Sequence, residues 1–147
     1  MKQIPITNNL KILEDFVQKI PIRLACTIDS EWPAIISLWY TCMDGKIICA
    51  TQENSKIVSF LRQNPKCAFE IAGDVPPYRG FRGKGIATIR KDGADNVLEI
   101  LIKKYISKEN SELENFLRKN IHNEVLIEIN PVKLITWDYS KRMKNSI

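Results

Sequence analysis

Apolar residues recur along this chain with two periods, and the switches between them mark out its elements. Leu10, Leu13, Val17 and Ile20 fall at i, i+3, i+7 and i+10, the spacing of one helical face, with Thr7 or Asn8 as cap and Pro21 as stop. Residues 22–29 read as a strand, Ser30-Glu31 as a turn, and residues 33–42 as a second strand that is apolar almost throughout. Such a run predicts burial on both faces, as in a barrel wall or an interface. Asp44-Gly45 is a hairpin signal leading into a third strand over 46–51.

The helical period returns at 57–64. Ile57, Phe60 and Leu61 share one face, Asn54 or Ser55 can cap it, and Asn64-Pro65 ends it. A strand over 66–72 and a loop over 73–77 follow. The glycines of segment 78–85 predict bulges, sharp bends or close approach of a ligand to the backbone, before a strand over 86–90. Asp95 or Asn96 is the expected cap of a helix turning Val97, Leu98, Leu101, Ile102 and Tyr105 inward. Ser111 and Glu114 have capping-box spacing for another, with Leu113, Phe116 and Leu117 as its stripe. Two strands, 124–129 and 132–138, flank Asn130-Pro131, and a basic tail occupies 141–147. Strands joined by hairpins, with few helices, predict a mainly β fold: an antiparallel barrel with flanking helices, one domain over residues 1–147.

Composition narrows the chemistry. With 44% apolar and 27% charged residues the chain is globular rather than disordered. A net charge of +5 favours anionic partners, phosphorylated ligands or nucleic acid. Cys26, Cys42, Cys49 and Cys67 lie in apolar stretches without a CxxC, and His122 is remote, so the spacing of a metal site is absent and haem ligation is not expected. The thiols read as small buried hydrophobes of a reducing cytoplasm. No export pattern or membrane-length apolar run occurs, which predicts a soluble cytoplasmic protein. Without GxSxG, a Cys–His pair or clustered carboxylates, no catalytic residue is named, and a difficult reaction step would fall to a cofactor.

Two stretches carry candidate binding chemistry. Thr51, Ser55 and Lys56 gather at a helix N-terminus, which suits a phosphate; a capped connecting helix is the plainer alternative. Arg79, Phe81, Arg82 and Lys84 interleave cations with an aromatic ring. They suit a phosphorylated cofactor, a solvated loop, or single-stranded nucleic acid bound without catalysis. Trp137, at a strand end, reads as a core or dimer-interface residue.

Taken together, these segments resemble the FMN-binding split barrels, the pyridoxamine 5'-phosphate oxidase-like family. The matching features are Thr51, Ser55-Lys56 and Asn64-Pro65 around a short helix; Arg82 through Ile89; and Asn130-Pro131 followed by Trp137. The resemblance implies an antiparallel split β-barrel and a homodimer holding FMN at its interface, or a deazaflavin coenzyme as in some shorter members. It also implies an oxidoreductase acting on a small-molecule substrate. Residue by residue, it implies that Ala50, Thr51, Ser55 and Lys56 hold the flavin phosphate and ribityl chain. The backbone of Ile35, Ile36, Ser37 and Leu38 would run along the ring, Arg82 and Lys84 would supply polar contacts, and Trp137 would lie beside the flavin from the second subunit. Ile35, Tyr40 and Ile57 stand where the oxidase carries basic residues, and its closing Arg-x-His motif is missing. These departures point away from pyridoxamine phosphate as substrate.

Overall fold

The computed structural model describes residues 2–3, 19–29, 32–106 and 110–143, with only the backbone of residues 2–3. Most of the helix expected over 10–20, the Ser30-Glu31 turn and the end of the basic tail lie outside them. The strands are β1 (Lys2–Gln3), β2 (Ile22–Cys26), β3 (Ala34–Leu38), β4 (Tyr40–Met43), β5 (Lys46–Gln52), β6 (Lys66–Ala72), β7 (Arg79–Arg90) and β8 (Glu124–Asp138). The helices are α1 (Lys56–Gln63), α2 (Ala94–Tyr105) and α3 (Ser111–Lys119).

Every strand pair is antiparallel. The order across the sheet is β3-β2-β6-β7-β8-β5-β4, and β1 lies beside the far end of β8. The two ends of this order, β3 and β4, are consecutive in the chain and separated by Trp39 alone. The sheet therefore curls until its edges meet through a covalent connection instead of a hydrogen-bonded ladder. That is the geometry of a split barrel, and it bears out the expected fold class.

Strand alternation fills the interior. Ile22 and Leu24 of β2, Ile47 and Cys49 of β5, Phe69 and Ile71 of β6 and Ile127 and Ile129 of β8 all join one core. Helix α1 adds Ile57, Val58 and Leu61. Each such side chain contributes about 1.5–3 kcal/mol on burial. Helix α2 lays Val97 and Leu101 over Ile48 and Leu126, so the paired part of β5 and β8 is covered on its outer side as well. Asp44 (φ 52°) and Gly45 (φ 75°) make the expected hairpin, both in the left-handed region that such a turn needs.

Several boundaries differ from those the pattern predicts. The apolar run 33–42 is two strands, because the chain crosses at Trp39 from one edge of the sheet to the other. Trp39 stacks on Tyr105 with ring centroids 5.0 Å apart. Its β3 half is not buried on both faces: Ile35 is 72% exposed. β7 begins at Arg79, not residue 86, and β8 runs unbroken through Asn130-Pro131, with a register shift opposite Lys84/Gly85. Gly93 (φ 81°), not Asp95 or Asn96, precedes α2, its backbone reaching a conformation that favours glycine. Asn110 precedes α3, no capping box forms, and Phe116 is exposed, because that helix buries none of its residues.

Candidate functional site

The sequence-predicted residues fall into two groups. The first surrounds the split. β3 ends the sheet order, so one of its edges has no partner strand among the described residues. β5 pairs with β4 only as far as Cys49, leaving Ala50, Thr51 and Gln52 beyond the end of that ladder. Ile35, Ile36, Ser37 and Leu38 on one strand and Ala50 and Thr51 on the other therefore belong to the two edges where the barrel opens. An open strand edge presents backbone N–H and C=O groups to whatever lies beside it. The side chain of Ala50 packs toward α2, so this position can offer a ligand its backbone.

Three residues after β5, Ser55 occupies the N-cap position of α1 with extended backbone (φ −69°, ψ 150°). Its hydroxyl does not cap the helix. The Oγ atom is buried and has no hydrogen-bond partner among the described residues. The first turn of α1 holds no acidic residue, and Lys56 begins it, exposed. A buried hydroxyl, first-turn amides and an adjacent ammonium form a donor set for an anion, with the helix dipole acting in the same sense. These residues fit a phosphate group.

The second group lies on the outer face of β2, β6, β7 and β8. Register aligns side chains across these strands in rows. One row runs Ser37, Arg23, Glu70, Arg82, Ile135; the next runs Ile35, Ala25, Ala68, Lys84, Lys133. Together they line a groove of about 600 Å³ with an alanine floor. Arg23 Nη1 donates to Ser37 Oγ at 2.9 Å, and Arg82 Nη2 lies 3.6 Å from Glu70 Oε2. The Arg82 guanidinium also sits over the Trp137 ring, 5.2 Å from its centroid, within cation–π reach. Trp137 is buried. Its Nε1 and the Nε of Arg82 are both buried donors without an acceptor among the described residues.

Of the readings that the glycines of β7 allow, a bulge is borne out by the register shift between Lys84 and Gly85. The glycines lie in a central strand, and at Gly83 and Gly85 it is neighbouring strands that come close. A Cβ at Gly83 would lie 2.7 Å from Phe69 Cζ, and one at Gly85 2.5 Å from Ile129 Cγ2. Phe81 is buried in the core while Arg82 and Lys84 face out, so these two cations and the ring do not share a surface. Phe81 therefore offers a base no stacking surface.

His122 is exposed in a short 3-10 turn, and no cluster of metal-ligating side chains occurs among the described residues. The cysteines are free thiols. Burial pushes Cys26 up, pushes Cys67 to about 11, and holds Cys49 higher still, so the three are protonated hydrophobes at neutral pH. Glu128 is compensated by Arg90 at 3.0 Å and Lys46 at 3.6 Å. Glu124 is buried against Gln52 at the end of β5, and desolvation raises its carboxyl above the ordinary range. Among the described residues no helix is long and apolar enough to cross a membrane.

Arg23, Glu70 and Lys133 were not singled out from the sequence. Strand alternation could have put Arg23 and Glu70 on an outward face, but only the register brings them beside Arg82 and Lys84.

No protein-family model and no curated protein matches this chain. Solved structures do. A conserved hypothetical protein of Mycobacterium tuberculosis superposes with a TM-score of 0.74 at 22% identity, covering 97% of this chain and 92% of that one. A candidate pyridoxamine 5'-phosphate oxidase of Listeria innocua gives 0.64 at 17% identity, covering 89% and 96%. An F420 reductase gives 0.68 at 15% identity, covering 90% and 98%. With its order of strands, its opening at Trp39 and these superpositions, the chain has the split-barrel fold of the pyridoxamine 5'-phosphate oxidase-like structures.

Proposed function

We propose that this chain binds a flavin-type cofactor through its phosphate, FMN or a deazaflavin coenzyme, and serves as an oxidoreductase on a small substrate. The observation that carries this reading is the start of α1. There a buried Ser55 hydroxyl without a partner among the described residues, first-turn amides and Lys56 stand beside the split, in a fold shared with an F420 reductase and FAD-binding proteins. The chain's own residues bind and orient. Ser55, Lys56 and Thr51 hold the phosphate end, and the open edge of β3 (Ile35, Ile36, Ser37 and Leu38) offers backbone groups to the edge of the ring. When bound, the cofactor supplies hydride or electron transfer.

Arg82, Lys84 and Trp137 lie on the outer sheet face, away from the α1 start in the sheet order, and none of the residues around the helix start except those of β3 shares their groove. They complete the site from a second copy of the chain, and the working unit is a homodimer. Exposed Ile35 and half-buried Ile135 on the same face suit such a contact.

The test is titration of the purified protein with FMN, FAD and a deazaflavin, followed by fluorescence quenching, with size-exclusion chromatography in parallel. Saturable binding of one cofactor per chain to a dimer is expected. Absence of saturable binding for all three cofactors would overturn the reading.

A further inference from the structure

Cys26 and Cys67 are direct cross-strand partners where β2 meets β6. Both side chains are buried in the one core, and both thiols are free. Two backbone hydrogen bonds reveal which kind of pair they form. Ala87 donates its N–H to the Pro65 carbonyl at 2.8 Å, and Gly73 donates to the Arg79 carbonyl at 3.2 Å. Odd-numbered residues of this stretch therefore turn their N–H and C=O groups toward β7, and even-numbered residues turn theirs toward β2. Cys26 and Cys67 thus form a non-hydrogen-bonded pair, the type whose Cα atoms stand closest, about 4.5 Å apart. That falls within the separation a disulfide spans, and both side chains point into the core, so they can meet by rotation about χ1. The Cys67 thiol donates to the Gly85 carbonyl at 3.5 Å, a weak bond easily given up. Cys42 and Cys49, the other two thiols, lie on β4 and β5, which have no ladder with β2 or β6.

We propose that Cys26 and Cys67 are a redox modification site, closed by a small peroxide into a reversible disulfide across β2 and β6. One thiol takes an oxygen from the peroxide and becomes a sulfenic acid, releasing water or an alcohol. The other thiol displaces that oxygen as water, so one S–S bond replaces two S–H bonds and two electrons pass to the peroxide. The ladder holds the second thiol beside the first, which favours this step over further oxidation. Burial keeps both thiols protonated at neutral pH, so the first step is slow and the pair responds to sustained peroxide. Only 3% of Cys26 and 7% of Cys67 is exposed, which admits a small uncharged oxidant and bars a bulky disulfide. The bridge closes the loop over 27–66, which carries β3, β4, β5 and α1, and stabilises the fold by restricting the unfolded chain.

The test treats the full chain, reduced and then freed of reductant, with hydrogen peroxide, and alkylates the remaining thiols after denaturation. Two of the four cysteines should escape alkylation, and peptide mass spectrometry should find Cys26 joined to Cys67 within one chain. The midpoint of thermal unfolding should rise by about 5 °C or more, and dithiothreitol should return it to its starting value. Cys26→Ala and Cys67→Ala should each abolish the peroxide-dependent rise. Four alkylated thiols after peroxide overturn the site, as does a bridge to Cys42 or Cys49, a bridge between two chains, or sulfinic acid at either position. Should the alanine variants fail to fold, the peptide map of the unsubstituted chain decides alone.

Discussion

The helix start and the outer groove both gather positive charge, yet they are built in opposite ways. At the helix start one exposed lysine stands beside a buried hydroxyl and backbone amides, with no acid in the first turn. Its attraction comes mainly from oriented dipoles, which need little side-chain ordering and are largely in place before a ligand arrives. In the groove four cations are set on a rigid sheet, and they are disciplined by neighbours: Arg23 by Ser37, Arg82 by Glu70 and Trp137. There the position of charge depends on strand register, and any change in strand spacing is felt by the whole row. The contrast teaches that backbone geometry can make one site with few residues, while side-chain charge needs a packed sheet behind it.

The largest effect should come from attacking that sheet. Gly83→Val forces a side chain against Phe69 and the β8 backbone, and should cost about 3 kcal/mol or more of stability, at the upper end of overpacking, measured by urea unfolding. An unchanged midpoint would show that β7 and β8 can separate and that the groove is not rigidly built.

Lys56→Ala probes the other region. Lys56 is exposed, so stability should hold, while FMN affinity should fall about tenfold or more, the worth of a charge-assisted hydrogen bond. Fluorescence titration checks this, and a loss of stability in place of affinity would erase the distinction between the regions.

Trp137→Leu removes the ring beneath Arg82. It should cost about 2 kcal/mol of stability through the lost packing of a buried ring and the lost cation–π contact, and leave the Ser55 end intact. Chemical denaturation measures the first, and amide shifts at Ser55 and Lys56 the second.

The smallest effect concerns pH. Burial raises the Glu124 carboxyl above its unfolded value, so its contribution to stability is fully present below the unfolded value and is lost as pH rises through the folded one. At neutral pH wild type carries that cost and Glu124→Gln does not. The variant should therefore unfold at slightly higher temperature near neutrality, with the gap closing as the pH is lowered. A gap that widens on acidification would reverse the assignment.

Much of this was legible in the chain. The hairpin at Asp44-Gly45, the stop at Asn64-Pro65 and the inward face of α2 are written in local rules, because turn chemistry, proline sterics and helical spacing act over a few residues. The α1 start was legible for the same reason. Ser55, Lys56 and the helix behind them are neighbours in sequence as well as in space. The glycines of β7 show the limit. A glycine in a strand can mean a ligand beside the backbone or a neighbouring strand too close for a Cβ, and the residues look alike until Phe69 and Ile129 are seen against them. The stripe of α3 misled in a simpler way: Phe116 has helical spacing, but nothing among the described residues covers it.

By itself, then, the sequence determined most of the described elements, the antiparallel barrel and the anion-friendly turn before α1, since each depends on interactions between residues close along the chain or on strict alternation. Only the tertiary structure decided that the 33–42 run breaks at Trp39 to open the barrel, that Phe81 and Arg82 face opposite ways, and that Lys84 meets Lys133. The break follows from where β3 and β4 find their partner strands, and the meeting of the two lysines rests on register between strands about fifty residues apart. A one-residue slip would send every one of these side chains to the other face, and no local pattern records which register the packed core selects.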